Sequence, residues 1–136
     1  MNLQQIEYSN MVAASSIVSG SSLLGQGVFI DHQCVISSQT KIGFGVTIKR
    51  GAKIGHHNSI GNFTDINPGV TTSGNVIIET GCVIGAGAIV KNNVTIGENT
   101  MIGMGSVVTK DIPPNSIAYG NPCRVVEKNR AWSIDV

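Results

Sequence analysis

The sequence predicts an all-β chain wound as a parallel β-helix, on two observations. From Ile6 to Val108 every sixth residue is isoleucine, leucine or valine, with Thr72 the one exception. A period of six fits neither the 3.6 of an α-helix nor the two of a plain strand, and hexapeptide periods mark parallel β-helices. The second observation is compositional. Seventeen of the 136 residues are glycine while aromatics make up 4%, which suits a thin coil lined by small and branched side chains better than a core filled by Phe and Trp.

Within each hexad the aliphatic is often followed by glycine, as in Ile42-Gly43, Ile54-Gly55, Ile60-Gly61, Ile84-Gly85, Ile96-Gly97 and Ile102-Gly103. These glycines are read as supplying the backbone freedom of a repeated corner. Four residues after the aliphatic comes a small or β-branched residue (Ser16, Val28, Thr40, Ala52, Thr64, Val76 and Ala88 among others) that fits a tight inner corner. The pattern resembles the hexapeptide repeat of left-handed parallel β-helices, in which three hexads make one triangular coil. The left hand comes from that resemblance alone, since general crossover statistics favour the right. With 18 residues per coil, residues 18 apart stack, and the repeat gives six coils, a prism about 29 Å long at roughly 4.8 Å per coil. An unbroken register leaves no room for a long inserted loop.

The β-helix is expected over residues 1–108, and a cap and tail over 109–136. In the cap, Pro113-Pro114 and Asn121-Pro122 are expected to forbid further regular strand ladders. The stretch from about Val126 to Trp132 reads as a turn or two of helix. At the other end the first coil must be covered by MNLQQ or by a partner, or stay a short exposed edge.

Composition excludes several classes. A formal charge of +1 provides no field for nucleic acid or an anionic membrane. The N-terminus has neither a basic region nor an apolar run, and no stretch approaches the roughly 18 to 20 apolar residues of a membrane span, so a cytoplasmic protein is expected. Cys34, Cys82 and Cys123 lack CxxC spacing and are read as small packing residues in a reducing compartment, with no metal role.

The chemistry concentrates in residues 51–90, GAKIGHHNSIGNFTDINPGVTTSGNVIIETGCVIGAGAIV. Together with the cap this stretch is similar to the hexapeptide-repeat acyltransferases, most of all the sialic acid O-acetyltransferase and bacillosamine-pathway sugar N-acetyltransferase type. The matching residues are His56-His57-Asn58-Ser59-Ile60-Gly61-Asn62-Phe63, Pro68-Gly69 and Gly74-Asn75-Val76, and the likeness runs over roughly residues 30 to 126. It implies a homotrimer that moves the acetyl group of acetyl-CoA to a hydroxyl or amino group of a sugar or nucleotide sugar, without a metal.

Residue by residue, the resemblance puts the catalytic base at His56. Eighteen residues on stands Gly74, whose missing side chain leaves its N–H open beside the imidazole, as acyl transfer requires of an oxyanion donor. The column continues to Asn92 and Lys110 as one wall of a cofactor cleft, with Ala86 and Met104 of a neighbouring subunit as the facing wall. Two positions differ from the family pattern. His57 replaces the acidic residue that orients the base, and Asp65 replaces a histidine, so Asp65 of the same or the neighbouring subunit is a candidate for the lost carboxylate. Lys49, where relatives carry asparagine, and the adjacent Arg50 suit an anionic or phosphate-bearing acceptor; His57 also falls on the acceptor side.

Two other classes compete. A zinc site of the γ-carbonic-anhydrase kind needs three converging histidines, and His32, His56 and His57 have spacings of 24 and 1. A non-catalytic β-helix serving as a structural or interaction module is the alternative, and a steep loss of acetyl-CoA binding on adding bulk at Gly74 would argue against it. With no long helical stretch and no G-x-G-x-x-G strand-to-helix element read ahead of the coil, serine acetyltransferase is not the expected subclass and the acceptor site is expected to be built from coil edges.

Overall fold

A computed structural model describes residues 6–131. Seventeen two-residue strands follow at six-residue intervals from β1 (Met11–Val12) to β17 (Val107–Val108). In each, the second residue is the repeat position, which points inward, while the first points out. Every ladder among them is parallel with an 18-residue offset, as in Asp65 between Thr47 and Val83 or Ile77 between Ser59 and Thr95. The chain is a left-handed parallel β-helix of about six turns. One face carries the strands beginning at Met11, Phe29, Thr47, Asp65, Val83 and Met101. The second carries those at Ile17, Val35, Lys53, Thr71, Ile89 and Val107, and the third those at Leu23, Lys41, Ser59, Ile77 and Thr95.

The repeat aliphatics from Ile30 to Val108 form one continuous buried column; burying each contributes roughly 1.5 to 3 kcal/mol before chain entropy is subtracted. The inner-corner residues explain why small polar side chains are tolerated in this core. Ser22, Cys34, Thr40, Thr64 and Cys82 each donate to the carbonyl 15 residues on, at the next coil's corner, so no buried hydroxyl or thiol there goes unmatched. Burial pushes the Cys82 thiol up to about 11 and raises Cys123 as well, which keeps both as thiols.

The glycines that follow the aliphatic have a different role from the one expected. Positive φ falls two residues later, at the third corner position, occupied by Gly27, Gln33, Gln39, Gly45, Gly51, His57, Phe63 and onward to Gly105. At the glycine itself the constraint is space: a β-carbon on Gly55 would strike Ser73 O and one on Gly85 would strike Met104 N. Stacked coils come closest there, and only hydrogen fits.

The cap also departs from expectation. The coil carries on past Val108, with Ile112 bridging Ile96 in parallel. β18 (Ser116–Gly120) then lies parallel on Met101–Ile102, and β19 (Cys123–Lys128) returns antiparallel to it through a bulge at Ile117/Ala118. A strand therefore stands where a helix was expected from Val126. The prolines sit outside these ladders, at 113, 114 and 122, so they end the coil without preventing a hairpin. Trp132, at the far end of that expectation, lies outside the described residues. At the opposite end Val12 is 44% exposed, and Ile6, also a repeat residue, is exposed and in no strand. Periodicity cannot see that the first coil has no described coil beneath it.

Candidate active site

The corner joining the second face to the third carries residues 55–58, with 73–76 in the next coil and 91–94 in the one after. Here His56 leans over Gly74: a β-carbon on Gly74 would sit 2.5 Å from His56 Nε2. The main chain clasps the pair, since Asn75 N–H donates to His56 O and Asn93 N–H to Gly74 O. No described acceptor takes the Gly74 N–H itself. His56 and His57 are exposed, as are Asn92 and Lys110 further along the edge.

Two buried polar residues hold this corner, and both were absent from the candidate residues read from sequence. Asn58, 1% exposed, donates to His56 O at 3.0 Å and to Ser73 O at 2.8 Å. Its Oδ1 accepts from the hydroxyl of Thr72, itself 4% exposed, at 2.6 Å. The signals were present in the sequence: Thr72 is the one break in the aliphatic register, and Asn58 is a large polar residue where other hexads place small ones.

The second ring nitrogen of His56 is engaged by its neighbour. His56 Nδ1 lies 3.0 Å from His57 Nδ1, with the two rings nearly perpendicular at 87°. Asp65 is not part of this corner in the same chain. It begins a strand of the first face, and its Oδ2 takes the Lys49 ammonium at 3.0 Å while Oδ1 is covered and unpartnered. Lys49 also donates to Asn67 Oδ1 at 2.9 Å. Arg50, next to it, is exposed and makes no described ion pair.

Lys49, Arg50, Ala86 and Met104 share the corner between the first and second faces. They stand on a different edge from His56, with the second face between. Met104 is 81% exposed. His32 lies on that edge too, its Nδ1 3.2 Å from Ser15 Oγ, so the three histidines do not converge within the chain. Among the described residues no three His, Cys, Asp or Glu side chains group as a metal site, and no helix is long and apolar enough to cross a membrane.

Residues 75–110 match the bacterial transferase hexapeptide (six repeats) family model. No curated protein matches the sequence. Among solved structures, a mutant perosamine N-acetyltransferase from Caulobacter crescentus, in complex with CoA and GDP-perosamine, is similar at 30% identity and a TM-score of 0.88, over 90% of this chain and 58% of its own. The acetyltransferase domain of PglB from Neisseria gonorrhoeae, in complex with acetyl coenzyme A, is similar at 28% identity and 0.86, over 88% of this chain and 58% of its own. WeeI from Acinetobacter baumannii is similar at 28% identity and 0.82, over 85% and 57%. The chain thus spans a little under three fifths of the length of these structures. Its hexapeptide repeats over 75–110 match that transferase model, and its fold is similar to those of structures that include a sugar N-acetyltransferase.

Proposed function

We propose that this protein is an acetyl-CoA-dependent acetyltransferase acting on a hydroxyl or amino group of a sugar or nucleotide sugar. One observation carries the reading: an exposed imidazole seated on a glycine whose N–H is open, in a chain similar to structures holding acetyl-CoA or CoA. Acetyl-CoA supplies the activated acyl group. His56 Nε2 takes the proton of the acceptor's hydroxyl or amine, and the Gly74 N–H donates to the oxygen on which charge develops. Asn92 and Lys110 extend that wall toward the cap.

The second wall belongs to a neighbouring subunit of a homotrimer, which would bring Ala86 and Met104 opposite. In support, the second face, between the two edges, points Ile17, Val35, Lys53, Thr71, Ile89 and Val107 outward, a single charge in a mainly apolar strip. On the facing edge, which the neighbouring subunit would bring opposite with its Ala86 and Met104, Arg50 of that subunit is the cation left over to meet an anionic group, because Lys49 is committed to Asp65 and Asn67. Asp65 of the neighbour would meet the base with one oxygen already held by Lys49.

The test is a thiol-release screen of acetyl-CoA consumption against amino sugars and nucleotide sugars, with light scattering on the same sample. Turnover with at least one sugar acceptor, from a species of about three chain masses, is expected. Replacing His56 by alanine should lower kcat by roughly 10² to 10⁴ with acetyl-CoA affinity within a few-fold. Turnover by a monomer would rule out the shared cleft, and full activity without His56 would rule out the base.

A further inference from the structure

We propose that His57 is a positioning residue that fixes the tautomer of His56, doing with a neutral ring what a carboxylate does beside many catalytic imidazoles. The inference rests on the reading of His56 as the base. A 3.0 Å Nδ1···Nδ1 contact holds one proton, so one ring donates and the other accepts. If His57 donates, His56 carries its own proton on Nε2, the atom over Gly74, and has no lone pair there for an acceptor's proton. If His56 donates, its Nε2 is free. Only the second arrangement makes a base, and it requires His57 to present an unprotonated Nδ1 and keep its proton on Nε2.

His57 is held for this task by its main chain. It occupies the third corner position at φ 54°, and its N–H donates to Ser38 O at 3.0 Å. The same position in the next two coils is Asn75 at φ 57° and Asn93 at φ 63°, residue types that tolerate the left-handed region, as histidine does. No described carboxylate, lysine or arginine pairs with either ring. The main chain of the pair is bonded to Ser38, Asn58 and Asn75, and the His56 ring lies over Gly74; none of these residues titrates.

During transfer the acceptor's oxygen or nitrogen bonds to the acyl carbon as the carbon–sulfur bond breaks. Its proton goes to His56 Nε2 and from there to the departing thiolate. While His56 holds that proton, its Nδ1–H donates to His57, and the bridging proton can cross so that both rings share the positive charge. An imidazole nitrogen supports this cation better than an amide oxygen and less well than a carboxylate.

The experiment labels histidine with ¹⁵N in the full-length protein and reads the ring tautomers by long-range ¹⁵N–¹H correlation at alkaline pH, without ligand. His56 is expected to carry its proton on Nδ1 in the wild type and in His57→Asn, and on Nε2 in His57→Phe. An apolar aromatic side chain is tolerated at that corner position, as Phe63 at φ 56° shows. In the thiol-release assay His57→Phe should lower kcat by about 10- to 100-fold with a nearly constant KM for acetyl-CoA. His57→Asn, which returns an acceptor at the Nδ1 position, should recover at least about tenfold, with the acid limb of kcat/KM moved to lower pH than in the wild type. A wild-type His56 protonated on Nε2, or a tautomer unchanged in His57→Phe, overturns the inference. Full turnover by His56→Ala would instead overturn the functional reading, whatever the tautomers show.

Discussion

The hydroxyl of Thr72 donates to Asn58 Oδ1 across 2.6 Å while accepting the Gly55 N–H at 3.0 Å. At other rungs of the same corner the corresponding N–H reaches a ladder carbonyl, as Ser37 does to Ile54 O and Ser73 to Val90 O. At Gly55 a side chain has taken the carbonyl's place, and the corner it redirects is the one bearing His56. Restoring the aliphatic register with Thr72→Val should therefore harm the protein. Asn58 Oδ1 would be left buried and unmatched, at a cost of about 1 to 3 kcal/mol, and kcat should fall roughly tenfold as the imidazole loses its seat. Adding Asn58→Val should recover most of the stability but not the rate. Urea denaturation of the two single variants and the double variant measures the coupling.

Gly74→Ala is expected to be a catalytic lesion more than a folding one. The new β-carbon falls on the His56 ring, an exposed side chain that can swing away, so the melting temperature should change little. The displaced Nε2 should cost kcat on the order of 10²-fold. Calorimetry and the thiol-release assay on one preparation separate the two effects.

Two glycines distinguish space from backbone conformation. Gly55→Ala drives a β-carbon into Ser73 O, with no positive φ involved, whereas Gly87 has open space around it but φ +71°. Gly87→Ala should cost about 1 to 2 kcal/mol, and Gly87→Asn much less. Gly55→Ala should cost more, because the obstruction is backbone of the next coil, and no residue larger than glycine should rescue it. Chemical denaturation of the three variants orders them.

Cys82 should give an alkaline signature. Burial holds its thiol up to about 11 against an ordinary 9.0, so above pH 9 the unfolded chain releases a proton that the folded chain keeps. Stability from this group is complete below pH 9 and declines as pH rises toward 11, by up to about 1.4 kcal/mol per unit. Cys82→Ala lacks that decline. Its stability deficit relative to the wild type should therefore shrink between pH 9 and 11 in parallel denaturation series.

The six-residue period made the fold legible because each hexad imposes the same demand: one inward aliphatic in its strand and one tight inner corner. It also brought His56 and Gly74 together correctly, since an 18-residue offset survives in every ladder between them. Reasoning by period failed where a position is governed by its neighbours in the adjacent coil. The glycines after the aliphatics looked like turn residues, although the left-handed corner lies two positions on, shared by Gly45, His57 and Asn75. The cap has no period, so the hairpin of Ser116–Gly120 with Cys123–Lys128 had no counterpart in the pattern. Thr72 and Asn58 each looked like a lone irregularity until they were seen to bond to each other, and the contact between His56 and His57 depends on side-chain torsions that spacing does not encode.

The 18-residue offset also makes the prism a ruler. Asn92 stands two coils above His56, roughly 10 Å along the axis, and that height can change only by whole coils. Gain or loss of one residue rotates every later side chain out of phase, and gain or loss of six carries each later column to the next edge. An exchange of 18 residues leaves every edge in place and moves the cap by about 4.8 Å relative to His56. Between coils of this kind, reach along the edge is a quantity inherited in integer steps.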